Sequence, residues 1–159
     1  MKVSLFSLMV LCATFAASCA SAAVSDGTKI SVEQLTPLAA WVEQHTHVSM
    51  QILPTAVASD RKLEKALHFD DVQYAGAVGA YMPGRLVVSN RVWDPASLEA
   101  QSYVVHELVH HAQFLNSRAY PCHAAKEREA YMLQSEWLIE HGRKPIVTQA
   151  WIDRMASCD

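Results

Sequence analysis

The sequence predicts an α+β fold, and three observations carry that expectation. Helical periodicity recurs from Leu35 to about His45, from Asp94 to about Leu115 and from about His123 to His141. Two apolar runs, Ala75 to Tyr81 and Arg85 to Ser89, flank Met82-Pro83-Gly84, the composition of a tight hairpin turn. The 159 residues are 51% hydrophobic and 18% charged, which suits one packed core, and no repeat, low-complexity tract or linker divides them.

Taken in order, the chain opens on a segment that reads as a signal peptide over residues 1–22. Lys2 supplies the positive start, Val3 to Phe15 the apolar run and Ala20-Ser21-Ala22 the small-residue cleavage signal. That run is too short for a stable membrane anchor, so the mature domain, residues 23–159, is expected to be exported to a periplasm or secreted. A rival reading makes Ala16-Ala17-Ser18-Cys19 a lipobox, with Cys19 as a lipidated terminus, although its first position is Ala instead of Leu. Without Lys2, 12 of the 13 basic residues remain against 16 acidic ones, a net charge of −4. A mildly acidic exported domain gives no ground for nucleic-acid binding.

Ala23 to Lys29 reads as a flexible start. Ser31-Val32-Glu33-Gln34 has capping-box spacing, and Thr36-Pro37 offers a second helix start, with an apolar face from Leu35, Leu38, Ala39, Trp41 and Val42. His45 and His47, not four apart, read as surface residues. Met50 to Leu53 is short, apolar and stopped by Pro54, as a strand would be. Ser59 or Asp60 caps a short helix through Leu67. Gly76 and Gly79 suggest a bulge or close backbone approach in the first hairpin strand. Asp94-Pro95 reads as N-cap and N1 of the next helix, Gly142 with Pro145 ends the one after it, and Thr148 caps a final short helix.

Cysteine usage follows from export. Only Cys122 and Cys158 remain in the mature chain, and in an oxidising compartment a lone pair is expected to form one disulfide, contributing about 3 kcal/mol on a disputed entropic model. Cys122 and His123 also invite a Cys/His metal reading, but no second thiol lies at ligand spacing.

The chemistry concentrates in His106-Glu107-Leu108-Val109-His110. Residues four apart on a helix share a face, so His106 and His110 can offer two imidazoles to one ion, with Glu107 about 100° round the turn and able to reach a water on that ion. The intervening Leu and Val make this a buried helix whose polar groups need a reason. A HExxH string alone arises by accident in roughly a few per cent of chains this long, and its bland reading is a surface helix carrying two histidines. His111 faces away from the ligand side and reads as a surface or supporting group. Gln113 supports the site or merely ends the polar edge.

The third ligand sets the subclass. The extended metzincin pattern needs Gly and His or Asp where this chain has Ala112 and Asn116, so that class is excluded. Glu127 and Glu129 are the candidates on the next helix. Glu127, Ala130, Tyr131 and Gln134 share one face, while Glu129 points away among Lys126 and Arg128.

Here the chain resembles the gluzincin metallopeptidases, in which HExxH is joined by a Glu from a following helix. The ExxA spacing of Glu127 and Ala130 is similar to their third-ligand helix and favours Glu127 over Glu129; Tyr131 stands where those families often place Asp or Asn. The runs Tyr81 to Ser89, His106 to Gln113 and Glu127 to Gln134 also resemble a small, functionally uncharacterised family of exported bacterial proteins identified only as gluzincin-like. The resemblance implies a zincin-like single domain, a minimal gluzincin with its hairpin packed on the HExxH and glutamate helices. It implies Zn²⁺ held by His106, His110 and Glu127, with Glu107 as general base of an exported metallopeptidase. It also implies that Leu86 to Ser89 is an edge strand pairing with extended substrate. Tyr131 and His123 are candidates for stabilising an oxyanion. Two alternatives stay open: a metal-binding or protein-interaction domain that keeps the fold without turnover, and a structural domain with incidental histidines.

Overall fold

A computed structural model describes residues 24–69 and 76–158. The expected leader, its cleavage site and the Cys19 alternative lie outside the described residues. The elements run β1 (Thr28–Ile30), α1 (Val32–Thr46), β2 (Thr55–Ala58), α2 (Asp60–Phe69), β3 (Gly79–Met82), β4 (Arg85–Val88), α3 (Leu98–Leu115), α4 (Ala125–Glu140) and α5 (Gln149–Met155). Five helices and a four-stranded mixed sheet make this an α+β domain, as expected. No helix among the described residues is long and apolar enough to cross a membrane.

The sheet order is β1-β2-β4-β3, antiparallel at both outer pairs and parallel between β2 and β4. Its alternation divides two hydrophobic layers. Ala56, Ala58, Leu86 and Val88 face the main core, while Val57 and Val87 turn the other way onto Leu63 of α2. The main core is completed by Leu35, Leu38 and Val42 of α1, by Val104, Val105, Leu108 and Val109 of α3, and by Ala130 and Leu138 of α4. With the sheet on one side and α1 and α4 on others, α3 is buried along most of its length. The fully buried Ala130 leaves room for α3 and α4 to approach closely.

Several boundaries differ from the sequence reading. The strand expected over Met50 to Leu53 lies after Pro54 instead, because Thr55 to Ala58 finds pairing partners on both sides. Residues 28–30 form an edge strand on β2 where a flexible start was expected. Ser31 does cap α1, with both arms of its capping box formed. The Thr36-Pro37 start is unused, and Pro37 sits inside the helix. Asp94 closes a turn onto Ala96, and Ser97 is the N-cap of α3, accepting from the amide of Ala100. Thr148 caps α5 as expected.

Leu86 to Ser89 is not an edge. β4 is paired by β2 on one side and β3 on the other, so it has no backbone groups left for a peptide. The outer strand on the α3 side is β3. Nor is His45 simply a surface group: it stacks on Trp41 at 3.7 Å, and with Trp41 it engages Glu140, tying the end of α1 to the end of α4. His47 is exposed, in the left-handed conformation that ends α1.

Candidate metal centre

Two turns of α3 and the first turn of α4 bring three side chains to one point. His106 Nε2 lies 3.2 Å from His110 Nε2 and 3.1 Å from one oxygen of Glu127, whose other oxygen is 3.3 Å from His110 Nε2. Glu129 takes no part. It is drawn off to accept from Gln113 Nε2 at 3.0 Å and from the Tyr120 hydroxyl at 3.1 Å.

The neighbours of the histidines decide what these nitrogens can do. Gln113 Nε2 faces the carbonyl of Lys126 and the carboxylate of Glu129, which only accept, so its Oε1 must be the atom 2.9 Å from His110 Nδ1. Ser102 gives its proton to the carbonyl of Glu99 and accepts from Gln134 Nε2, which turns Gln134 Oε1 towards His106 Nδ1 at 3.2 Å. Both Nδ1 atoms therefore carry hydrogen. In the neutral rings, both Nε2 lone pairs then point at each other and at a carboxylate.

Three electron pairs converging at 3.1–3.3 Å call for a positive charge between them. A tetrahedral ion with bonds of about 2.0–2.1 Å separates its ligand atoms by roughly 3.3–3.4 Å. The donor set, two imidazoles and a carboxylate, and its spacing therefore fit zinc. Without an ion, a proton fills part of that demand. Burial works against charge on His110, but the hydrogen bond and charge of Glu127 outweigh it, with help from Glu107 and Gln113, and carry its pKa to about 9. Burial alone would raise Glu127, yet the hydrogen bonds and charges of both histidines hold it far below the usual carboxylate range.

Glu107 stands beside the triangle in a different setting. It is buried, and desolvation lifts its carboxyl above the ordinary range; His106 and His110 oppose that rise and Glu127 adds to it. Its carboxylate packs against the backbone of Gly79, where an added β-carbon would collide with Oε1 and come within 3.0 Å of Cδ. His106, Glu107, His110 and Glu127 open onto a cleft of about 760 Å³, walled by β3 and α2 beyond α3 and by residues 146–155 beside α4.

With that geometry in place, comparison gives the chain a family. The family described as a domain of unknown function (DUF6647) matches residues 27–159. The chain belongs to it. The match takes in every element from β1 to α5. Neither the search of curated proteins nor that of solved structures gives a match.

Within this DUF6647 domain, the expected disulfide joins Cys122 to Cys158, with Cα atoms 5.7 Å apart. It fastens the end of α5 to the segment entering α4. Tyr131 stands edge-on to His106 at 4.5 Å and lines the cleft together with His123. His111 departs from the surface reading. It is buried, accepts from the Tyr81 hydroxyl at 2.9 Å and gives its Nε2 proton to the carbonyl of Ile52 at 3.0 Å. It pins the β3–β4 turn to α3, since Tyr81 also accepts from the amide of Gly84. The roles of Gln134 and Ser102 behind His106 went unread in the sequence. Gln134 carried one signal, its place on the face of Glu127 and Tyr131.

Proposed function

We propose that this protein is an exported zinc-dependent hydrolase of gluzincin type that cuts peptide amide bonds, on a minimal zincin-like scaffold. One observation carries the reading: His106 Nε2, His110 Nε2 and Glu127 converge within 3.1–3.3 Å, with both Nδ1 atoms committed to glutamine carbonyls and Glu107 alongside. His106, His110 and Glu127 would hold Zn²⁺, which when bound supplies a water acidic near neutral pH and a site for developing negative charge. Three protein donors leave a fourth position open, the mark of a catalytic rather than a structural centre.

Glu107 has the environment of a proton shuttle. A carboxyl raised by burial accepts a proton from water more readily than an ordinary glutamate and can hold it for the leaving amine. Gln134 and Gln113 keep the two imidazoles in the donor tautomer. Tyr131 and His123, which line the cleft, would be the candidates to donate towards an oxyanion. An extended substrate would pair with the outer edge of β3, which no strand among the described residues takes. The Cys122–Cys158 bond supports an oxidising compartment, in keeping with export.

Metal analysis and one substitution test this. The purified protein is expected to carry about one equivalent of zinc, lost in His106→Ala, His110→Ala and Glu127→Ala. Glu107→Gln is expected to keep the zinc and abolish hydrolysis of a mixed peptide library. Zinc retained with no hydrolysis by the wild-type chain would leave a metal-binding domain without turnover. Hydrolysis surviving Glu107→Gln would overturn the mechanism.

A further inference from the structure

The cleft is far larger than a metal and a water require, and its chemistry away from the donors is one-sided. On the α3 side it is lined by Leu67, Met82 and Phe114, and beside α4 by Ile146, Trp151 and Met155. Three of these are left facing water: Phe114 is 51% exposed, Ile146 42% and Trp151 38%. Clustered exposed apolar side chains around a concave site mark a surface that something covers.

Charge is scarce in the same walls. Beyond Glu107 and Glu127, the only lining residue with a permanent charge among the described residues is Lys126, and its ammonium lies over the Tyr120 ring, 5.9 Å from the centroid. Among the described residues, a substrate carboxylate entering here would lose water and meet only Lys126, already engaged over Tyr120, and an ammonium would meet no carboxylate apart from Glu107 and Glu127. An apolar side chain would cover Phe114 on one side or Trp151 on the other. Trp151 is itself held from behind by the guanidinium of Arg154, 4.8 Å from its ring, and α5 by the disulfide and by the Arg128–Asp153 pair.

We propose that the cleft takes extended peptides whose residues next to the scissile bond carry bulky apolar side chains, seated on Phe114 and Met82 to one side of the donors and on Trp151 and Met155 to the other. The proposal rests on the hydrolase reading above and adds the substrate class. The β3 edge would hold the peptide main chain irrespective of sequence, so discrimination falls to these walls. Burying one large apolar side chain instead of a polar one corresponds to about 10- to 100-fold in kcat/KM.

The test uses two measurements on one peptide set, identical except that the two residues flanking the central bond are Phe, Leu, Asp or Lys. Zinc-loaded wild-type protein is expected to cleave the Phe and Leu peptides at least about tenfold faster in kcat/KM than the Asp and Lys peptides. Zinc-loaded Glu107→Gln, followed by calorimetry, is expected to bind them in the same order. Trp151→Ala is expected to flatten the order while zinc content stays at one equivalent, and Trp151→Phe to keep it. Cleavage without an apolar preference, or with a charged one, overturns this proposal and leaves the hydrolase reading standing. Apolar-selective binding without cleavage by wild type overturns the hydrolase reading and leaves the selective cleft. Absence of both binding and cleavage overturns both.

Discussion

The backbone of Gly79 in β3 packs directly on the carboxylate of Glu107 in α3, leaving no room for a β-carbon. The sheet thus supplies the wall against which Glu107, the proposed general base, rests. In Gly79→Ala the carboxylate end, being the flexible partner, would swing aside while the strand stays put. A displacement of about 1 Å in a catalytic group costs on the order of 100-fold in rate. The expected outcome is a loss of that size in kcat, with zinc content and melting temperature close to wild type. A Gly79→Ala variant as active as wild type would show that Glu107 does not work from this position.

Gln113 and Gln134 hold the Nδ1 protons of His110 and His106. Removing either, as Gln113→Ala or Gln134→Ala, frees an imidazole to turn and to change tautomer. Zinc affinity measured by competition with a chelator is expected to fall about 10- to 100-fold for each. The Glu129→Ala variant, in which Gln113 loses one of its two acceptors but keeps the carbonyl of Lys126, should fall by less.

Acid and base act oppositely on the two forms of the centre. In metal-free protein the pKa of His110 stands at about 9, above its ordinary 6.5, so its charged pair with Glu127 stabilises the fold fully below pH 6.5. That contribution is lost as pH rises from 6.5 through 9. Zinc held at these nitrogens would have to displace the same proton, so metal-loaded protein is expected to gain stability as pH rises over that window. Thermal melts of chelated and zinc-loaded samples at a series of pH values should therefore diverge upward from pH 6.5. Parallel curves would mean that proton and metal do not compete at His110.

The disulfide closes residues 122 to 158, and its loss in a Cys122→Ser/Cys158→Ser variant is expected to lower stability by about 3 kcal/mol. The chemical step should be less affected than binding. Zinc content is expected to hold at one equivalent while KM rises, because α5 carries Trp151 and Met155 into the cleft. A variant that loses its zinc would show that α5 supports the donors themselves.

What could be read from the sequence was what depends on local spacing. His106 and His110 are one helical turn apart, and Glu127 follows from the period of α4, so the convergence of these three side chains was legible. Gly79 was marked as a place of close approach, but not what approaches it, because Glu107 arrives from 28 positions further on. The short strands were the least legible. β1 is three residues long and depends wholly on β2, and the strand near Pro54 was placed on the wrong side of the proline. His111 does face away from the donors, as its helical angle requires. Water does not lie on that side, because Tyr81 of β3 and the carbonyl of Ile52 cover it.

All three candidate donors fall within residues 106–127, on two helices adjoining in sequence, while the glycine that confines Glu107 arrives from the sheet. On the proposed reading, gripping an ion would be a local affair, and being ready to use it a long-range one. A chain with a damaged sheet could still emerge from purification fully metallated and inert, so metal stoichiometry by itself would be a poor assay of a working molecule.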